Sequence, residues 1–275
     1  MKILLKNRGL LKISGKDARE FIQNQFSNDI EKLNHSSVQI NAYCQHQGKI
    51  IGLFWVMRYK EDLLLSFPIA LSDIIKSRLK MFIIMSDVNI DDISASYCQI
   101  GLIDEKQSNA YSINDSLSLI IDNTTENIDN LAEENAEWDL ACIKSSLPEV
   151  FLSTSEKFVP QMLNLDINEV GVSFSKGCYP GQEVVARLHY LGTAKRRLFS
   201  FQSNQEMQVG DSLFCASSKT ALARGDRYKG SGIVVSKVKY KSLFYCLATL
   251  YVDLIDDEIT RNNEHGPILE RINDE

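Results

Sequence analysis

The stretch Phe174-Ser175-Lys176-Gly177-Cys178-Tyr179-Pro180-Gly181-Gln182-Glu183-Val184-Val185-Ala186-Arg187 carries more local instruction than any other part of this chain. Gly177 and Gly181 flank Cys178 and permit tight backbone turns. Pro180 cannot sit inside a helix but suits a first helical turn. Glu183 complements the positive end of such a helix, and Val184, Val185 and Leu188 supply it with a face to bury. This reading places Cys178 just ahead of a helix N-terminus and close to Lys176, and both neighbours favour a thiolate over a thiol. The plainer reading is a small residue packed into a structural turn, the usual state of a free cysteine. That reading suits Cys44, Cys98, Cys142, Cys215 and Cys246 better, because no comparable loop surrounds them.

Working outward, Trp138, Ala141, Cys142 and Ser145 fall on one face of a helix that stops at Pro148. Beyond the quoted stretch, residues 198–201, 232–238 and 243–252 read as strands of a C-terminal β region. On the N-terminal side, residues 10–13 form a short strand. Ser14 and Asp17 then begin a helix carrying Ala18, Phe21, Ile22 and Gln25. Strands are expected at 38–44, 50–58 and 63–67, and a helix through Leu71, Ile74, Ile75, Arg78, Leu79 and Phe82. Shorter strands follow near Val88 and at 99–103, 110–113 and 117–121. The acidic run 122–130 reads as a connector, and the charged tail from Asp256 is expected to fray. Hairpins mixed with separate helices make the class α+β, not a parallel βαβ alternation.

Composition bounds the function. The chain has 275 residues, room for about two domains, and 44% of it is apolar. A net charge of −6 gives no global attraction to nucleic acid or anionic membrane, so direct nucleic-acid binding is not expected. Lys195, Arg196, Arg197, Lys237, Lys239 and Lys241 could bind anions, but the usual account of such runs is a solvated strand face. The six cysteines form no C-x-x-C pair and do not cluster with histidine, which argues against a zinc site or a disulfide framework. Scattered single cysteines fit a reducing, cytoplasmic setting. Lys2, Lys6, Arg8 and Lys12 interrupt the N-terminal apolar residues, so no secretory signal is expected. The longest apolar run, residues 50–57, is far too short to cross a bilayer.

Lys176-Gly177-Cys178-Tyr179-Pro180-Gly181-Gln182-Glu183 resembles the K-G-C-x-x-G-Q-E signature of the YgfZ-type folate-binding proteins, bacterial relatives of a mitochondrial iron–sulfur assembly factor. Phe158-Val159-Pro160-Gln161 and Leu165 before it, and Arg187, Gly192, Lys195 and Arg196 after it, are similar to the family pattern. So is Ile13-Ser14-Gly15-Lys16-Asp17-Ala18 with Phe21, Gln23, Gln25 and Asp29. The likeness is clear over residues 10–60 and 138–198. The family shares the fold of the glycine cleavage aminomethyltransferase. The resemblance therefore implies a discontinuous folate-binding domain (1–45 and 126–197), a ferredoxin-like domain (46–125) and a C-terminal β-barrel domain (198–275).

The resemblance further implies tetrahydrofolate as ligand, with Trp138 matching a tryptophan that contacts folate in relatives. Helical spacing alone makes Trp138 a core anchor, and both readings stay open. Trp55, in an apolar strand, is expected to lie away from the ligand. Relatives often carry a second tryptophan where this chain has Arg8. The transferase needs an aspartate in a G-G-x-x-D-D segment. Here that run is Gly48-Lys49-Ile50-Ile51-Gly52-Leu53, so a glycine cleavage activity, and independent catalysis generally, is not expected.

The implied function is an accessory factor for assembly or repair of iron–sulfur clusters in client enzymes, including tRNA-thiolating radical-SAM enzymes. Cys178 would act as a thiolate favoured by Lys176, with Gly177, Tyr179, Gly181, Gln182, Glu183 and Arg187 shaping or anchoring the motif. One cysteine cannot hold a [4Fe–4S] cluster, which takes four thiolates, so no stably bound metal is expected. The alternatives are a folate-dependent one-carbon transferase with an unknown acceptor, and a purely structural binder of tRNA-modification enzymes.

Overall fold

A computed structural model of the chain describes residues 1–123, 135–215, 230–263 and 265–272. The chain opens with β1 (Lys2–Leu4), β2 (Arg8–Ser14), α1 (Ala18–Gln25), β3 (Gln39–Cys44), β4 (Ile50–Tyr59), β5 (Asp62–Pro68) and α2 (Ser72–Lys80). It continues through β6 (Asn89–Asp92), β7 (Cys98–Ile103), β8 (Tyr111–Ser112), β9 (Leu117–Asp122) and α3 (Ala136–Lys144). After α4 (Gln182–Leu191) come β10 (Arg196–Ser203), β11 (Ser212–Cys215), β12 (Gly232–Tyr240), β13 (Leu243–Tyr251), β14 (Ile259–Arg261) and β15 (Ile268–Arg271). From residue 124 on, the acidic connector lies outside the described residues.

These strands build three antiparallel sheets: β3-β4-β5-β2-β6, β1-β7-β9-β8, and a closed barrel β10-β13-β12-β11-β14-β15. The first sheet is buried on both sides, which explains the unbroken apolar run of β4. Phe54 and Val56 of β4 join Phe21, Ile22, Phe67, Ile75 and Leu79 under α1 and α2. Leu53, Trp55 and Met57 point the other way, into the core shared with Trp138 of α3 and with Leu198, Val235 and Leu247 of the barrel. The alternation breaks once, where the pairing steps from Tyr43–Gly52 to Cys44–Ile50 and leaves Ile51 as a bulge. The residue-45 boundary implied by the resemblance falls at the turn of this β3–β4 hairpin.

The C-terminal tail is a correction. Instead of fraying, it supplies β14 and β15, which pair with β11 and β10 and close the barrel. Closure satisfies strand edges that would otherwise be open, and this outweighs the tail's charge. The basic run is structural as well. Arg196 is buried against the Tyr251 ring at 4.2 Å and donates to the Gly230 carbonyl. Arg197 forms a two-pronged pair with Asp166 at 2.5 and 3.0 Å.

Candidate functional site

Residues 174–181 form a loop held at four points around one exposed thiol. The Phe174 ring stacks on His189 of α4, with centroids 3.6 Å apart. Lys176 turns inward and donates to the carbonyls of Gln23, Phe26 and Asn28 at 2.5, 2.6 and 2.9 Å. Tyr179 is buried, and burial beside Cys44 pushes its phenol up. Gly181 adopts φ +82°, and a Cβ there would lie 2.5 Å from the Gln45 carbonyl oxygen and 2.8 Å from Gly48 Cα. The β3–β4 turn, itself carrying Gly48 at φ +76°, thus presses directly on the motif. Cys178 between these anchors is exposed, alone among the six cysteines. Burial pushes the Cys44 and Cys246 thiols up to about 12, where they are inert.

The expectations for individual residues divide. Gly177 has no steric role like that of Gly181: its φ is not positive, and a Cβ on it would meet nothing within 4 Å. Pro180 precedes α4 rather than opening it, because Gly181 is the N-cap. Val185 is buried, but Val184 is exposed. Glu183 sits in the first turn of α4, exposed, and among the described residues its side chain has no hydrogen bond; the same holds for Arg187.

Lys176 spends its three ammonium protons on backbone oxygens at the end of α1 rather than on Cys178. It gives that helix the C-terminal cation its own last turn lacks. Burial draws its pKa down to about 8, with Asp29 opposing, so it is still an ammonium at neutral pH. Lys176→Met should strand these carbonyls and lower stability by about 1–3 kcal/mol, read as a drop in the urea midpoint. An unchanged midpoint would refute the anchoring role.

A second feature lies where β1, α3 and the barrel meet. A cavity of about 110 Å³ is lined by Arg8, Asn135, Trp138, Asp139, Glu149 and Ser236, with Lys237 also at its wall. Trp138 is 3% exposed and packs flat on β7, where a Cβ at Gly101 would come within 2.4 Å of its ring. Trp55 meets it edge-on at 6.1 Å, so this second tryptophan is not remote from the cavity. Arg8 lies 3.7 Å over the Trp55 ring, donates to Ser66 Oγ at 2.7 Å and forms an ion pair with Glu149. Asp139 lines the cavity; desolvation of its carboxyl, reinforced by Glu149, pushes it up to about 7 against the pull of Arg8, although the residue as a whole is exposed. Among the described residues Asn135 Oδ1 and Ser236 Oγ are buried without a hydrogen-bond partner, unusual in a folded protein. No residue of 174–187 lines this cavity, so the structure keeps Cys178 and Trp138 in separate places.

No protein-family model matches the chain. A tRNA-modifying protein YgfZ of Colwellia psychrerythraea is 31% identical over 74% of this chain and 72% of its own length. The chain belongs to the YgfZ family. A second YgfZ protein, from Aliivibrio fischeri, is 26% identical over 92% of this chain and 86% of its own. The crystal structure of glycine cleavage system aminomethyltransferase T from Bartonella henselae superposes with a TM-score of 0.68 at 10% identity, covering 98% of this chain and 84% of that one. The fold is therefore that of the aminomethyltransferases, as the resemblance implied.

Asp139 and Glu149 escaped the sequence reading. The available signal was an acid one position from Trp138 and three from Cys142, but Asp139 is itself exposed, and a lone acid beside an apolar stripe is usually solvated. Among the described residues no three histidine, cysteine or acidic side chains are grouped to hold a metal ion, and no helix is long and apolar enough to cross a membrane.

Proposed function

We propose that this protein binds tetrahydrofolate in the cavity beside Trp138. We further propose that it serves, in the cytoplasm, as an accessory factor for assembly or repair of iron–sulfur clusters in client enzymes, among them tRNA-thiolating radical-SAM enzymes. The observation that carries the reading is the single exposed thiol on a loop fixed at four points. Such a thiol can meet a partner protein without the loop having to order first, which lowers the entropy lost on contact. A cluster, a sulfur atom or an oxidised sulfur species would be held at Cys178 transiently, with the partner supplying the remaining thiolates. The experiment is a profile of cluster-dependent activities, tRNA thiolation first, in a strain lacking the gene and in the same strain complemented. Equal thiolation in both would reject the role.

Family membership and the aminomethyltransferase fold support the folate part. So does a cavity bordered by Trp138 and, among the described residues, by the unpartnered Asn135 Oδ1 and Ser236 Oγ. Leu5 and Arg8 also border a second cleft of about 240 Å³. Tetrahydrofolate should quench the intrinsic fluorescence, and Trp138→Phe should remove more than half of the change. A remainder is expected from Trp55, because that ring touches Trp138. A quench of full amplitude in Trp138→Phe would move the ligand elsewhere.

One observation favours the one-carbon transferase as a second reading. Asp139, drawn up to about 7, has the proton affinity of a general acid–base group at neutral pH. Turnover of methylene-tetrahydrofolate, measured with and without Asp139→Asn, separates the two readings.

A further inference from the structure

The segment Lys80-Met81-Phe82-Ile83-Ile84-Met85-Ser86-Asp87, between α2 and β6, is fixed at both ends and open in the middle. Leu79 and Val88 are buried in the core under α1 and α2. Asp87 is tied to the start of α1 through its backbone. Its N–H donates to Asp17 Oδ2 at 2.8 Å, and its carbonyl accepts from the Asp17 N–H at 3.2 Å. The N–H groups of Phe82 and Ile83 close a turn on the Leu79 and Lys80 carbonyls. Between these anchors Met81, Phe82, Ile84 and Met85 are exposed, Ile84 by 83% and Met85 by 96%. Four exposed apolar side chains within five consecutive residues are a liability on a free surface and mark an interaction site.

The charges that flank the cluster say what covers it. Lys80 precedes it and Asp87 follows it. Both are exposed, and among the described residues neither side chain has a hydrogen bond or an ion pair. A rim of one cation and one anion has no preference for an anionic lipid surface. It is complementary to itself. Laid antiparallel on a second copy, the segment sets Lys80 opposite Asp87, Phe82 opposite Met85 and Ile83 opposite Ile84, and each pairing occurs twice. That is the pattern of an isologous two-fold contact, and a thioether against an aromatic ring is a favourable pair. We propose that residues 80–87 are a self-association face, joining two copies of this chain about a two-fold axis beside Ile83 and Ile84.

The apolar side chains supply the affinity, and the two Lys80–Asp87 pairs fix the register. The face lies at the N-terminal end of α1, whereas Lys176 holds the Cys178 loop at the C-terminal end, so the contact does not use the thiol. A patch of this kind makes a small interface, in the class below about 1,200 Å² in total, and such a dimer forms and separates with concentration. Ile84→Glu sets two carboxylates near each other at the axis. Lys80→Asp or Asp87→Lys sets like charges together at both ends of the contact.

The test is the molar mass of the full chain by sedimentation equilibrium from about 1 to about 200 µM, a range that brackets the dissociation of small interfaces. Wild type should pass from monomer to twice that mass and stop there, since a closed two-fold leaves no further copy of the face open. Ile84→Glu should stay monomeric throughout. Its urea midpoint, taken at the lowest concentration, should match wild type because the side chain is exposed. Lys80→Asp and Asp87→Lys should each weaken self-association by about tenfold or more. Mixed one to one, these two variants should associate with each other as wild type does, because each position 80 then meets an opposite charge at position 87. A monomer at every concentration would overturn the proposal. So would a dimer that survives Ile84→Glu, assembly beyond the dimer, or no gain on mixing. A monomer that floats with anionic phospholipid vesicles, and loses this in Ile84→Glu, would overturn it in favour of a lipid surface.

Discussion

A Cys178→Ala variant should fail to restore tRNA thiolation in a deletion strain while its urea midpoint stays within about 0.5 kcal/mol of wild type, the range of ordinary surface substitutions. The two halves of this expectation come from separate features. The thiol is exposed, so its removal leaves no cavity and strands no buried partner. The loop is held by Phe174 on His189, by Lys176 on three carbonyls, by the buried Tyr179 and by Gly181 against the hairpin, none of which needs the sulfur. Loss of function without loss of stability would therefore be chemical. Cys178→Ser sharpens the test, since it keeps size and polarity but not sulfur chemistry, and it should fail equally. Full rescue by either variant would make the loop a docking surface and return the chain to the class of structural binders. Changing Cys44 or Cys246 to Ala should show the reverse pattern, because those thiols are buried and protonated: reduced stability with function retained.

Much of this fold was legible because its signals are local. The β4 run reads as a strand from composition and length alone, and both of its faces are covered. The helix from Ala18, the helix ending ahead of Pro148 and the barrel strands β12 and β13 follow from period and breakers. The missed elements depend on distant partners. β1 is three residues long and exists because β7 lies beside it, with Lys2 opposite Leu102 and Leu4 opposite Ile100. β11, β14 and β15 are short, and only closure of the barrel makes strands of them.

The candidate site divides in the same way. Cys178 and Gly181 could be found from the motif, because a positive-φ glycine and a loop cysteine are written in the residues themselves. What Lys176 does could not. Two positions from Cys178 it looks like the neighbour of a thiolate, yet its acceptors are more than a hundred residues earlier in the chain. The cavity is harder still to foresee, since Arg8, Asp139, Glu149 and Ser236 come from four separate segments.

Purified protein given tetrahydrofolate and an aminomethyl-loaded carrier should show no transfer above background. Where the transferase pattern places its carboxylate, this chain has Gly52 and Leu53, and neither side chain can give or take a proton. The geometry adds a reason that the sequence alone does not contain. A Cβ on Gly52 would point at the Phe54 ring and at Ile75 Cδ1, 3.3 and 3.4 Å away, into the core beneath α2. Gly52→Asp would therefore bury an unpaired carboxylate among apolar side chains, destabilising the protein rather than rebuilding a site. Leu53 faces the cluster that contains Trp138, but it is itself buried there, and an acid in its place would lack solvent and partner alike. Loss of a positioned acid–base group costs about 10²–10⁴ in rate, which puts residual transfer at the level of the uncatalysed control. Of the two acids lining the cavity, Glu149 is paired with Arg8, so the decisive control is wild type against Asp139→Asn. Efficient transfer abolished by that change would assign the missing proton chemistry to Asp139 and make this chain an enzyme. Equal background in both would exclude this transfer chemistry and leave Cys178 to the client.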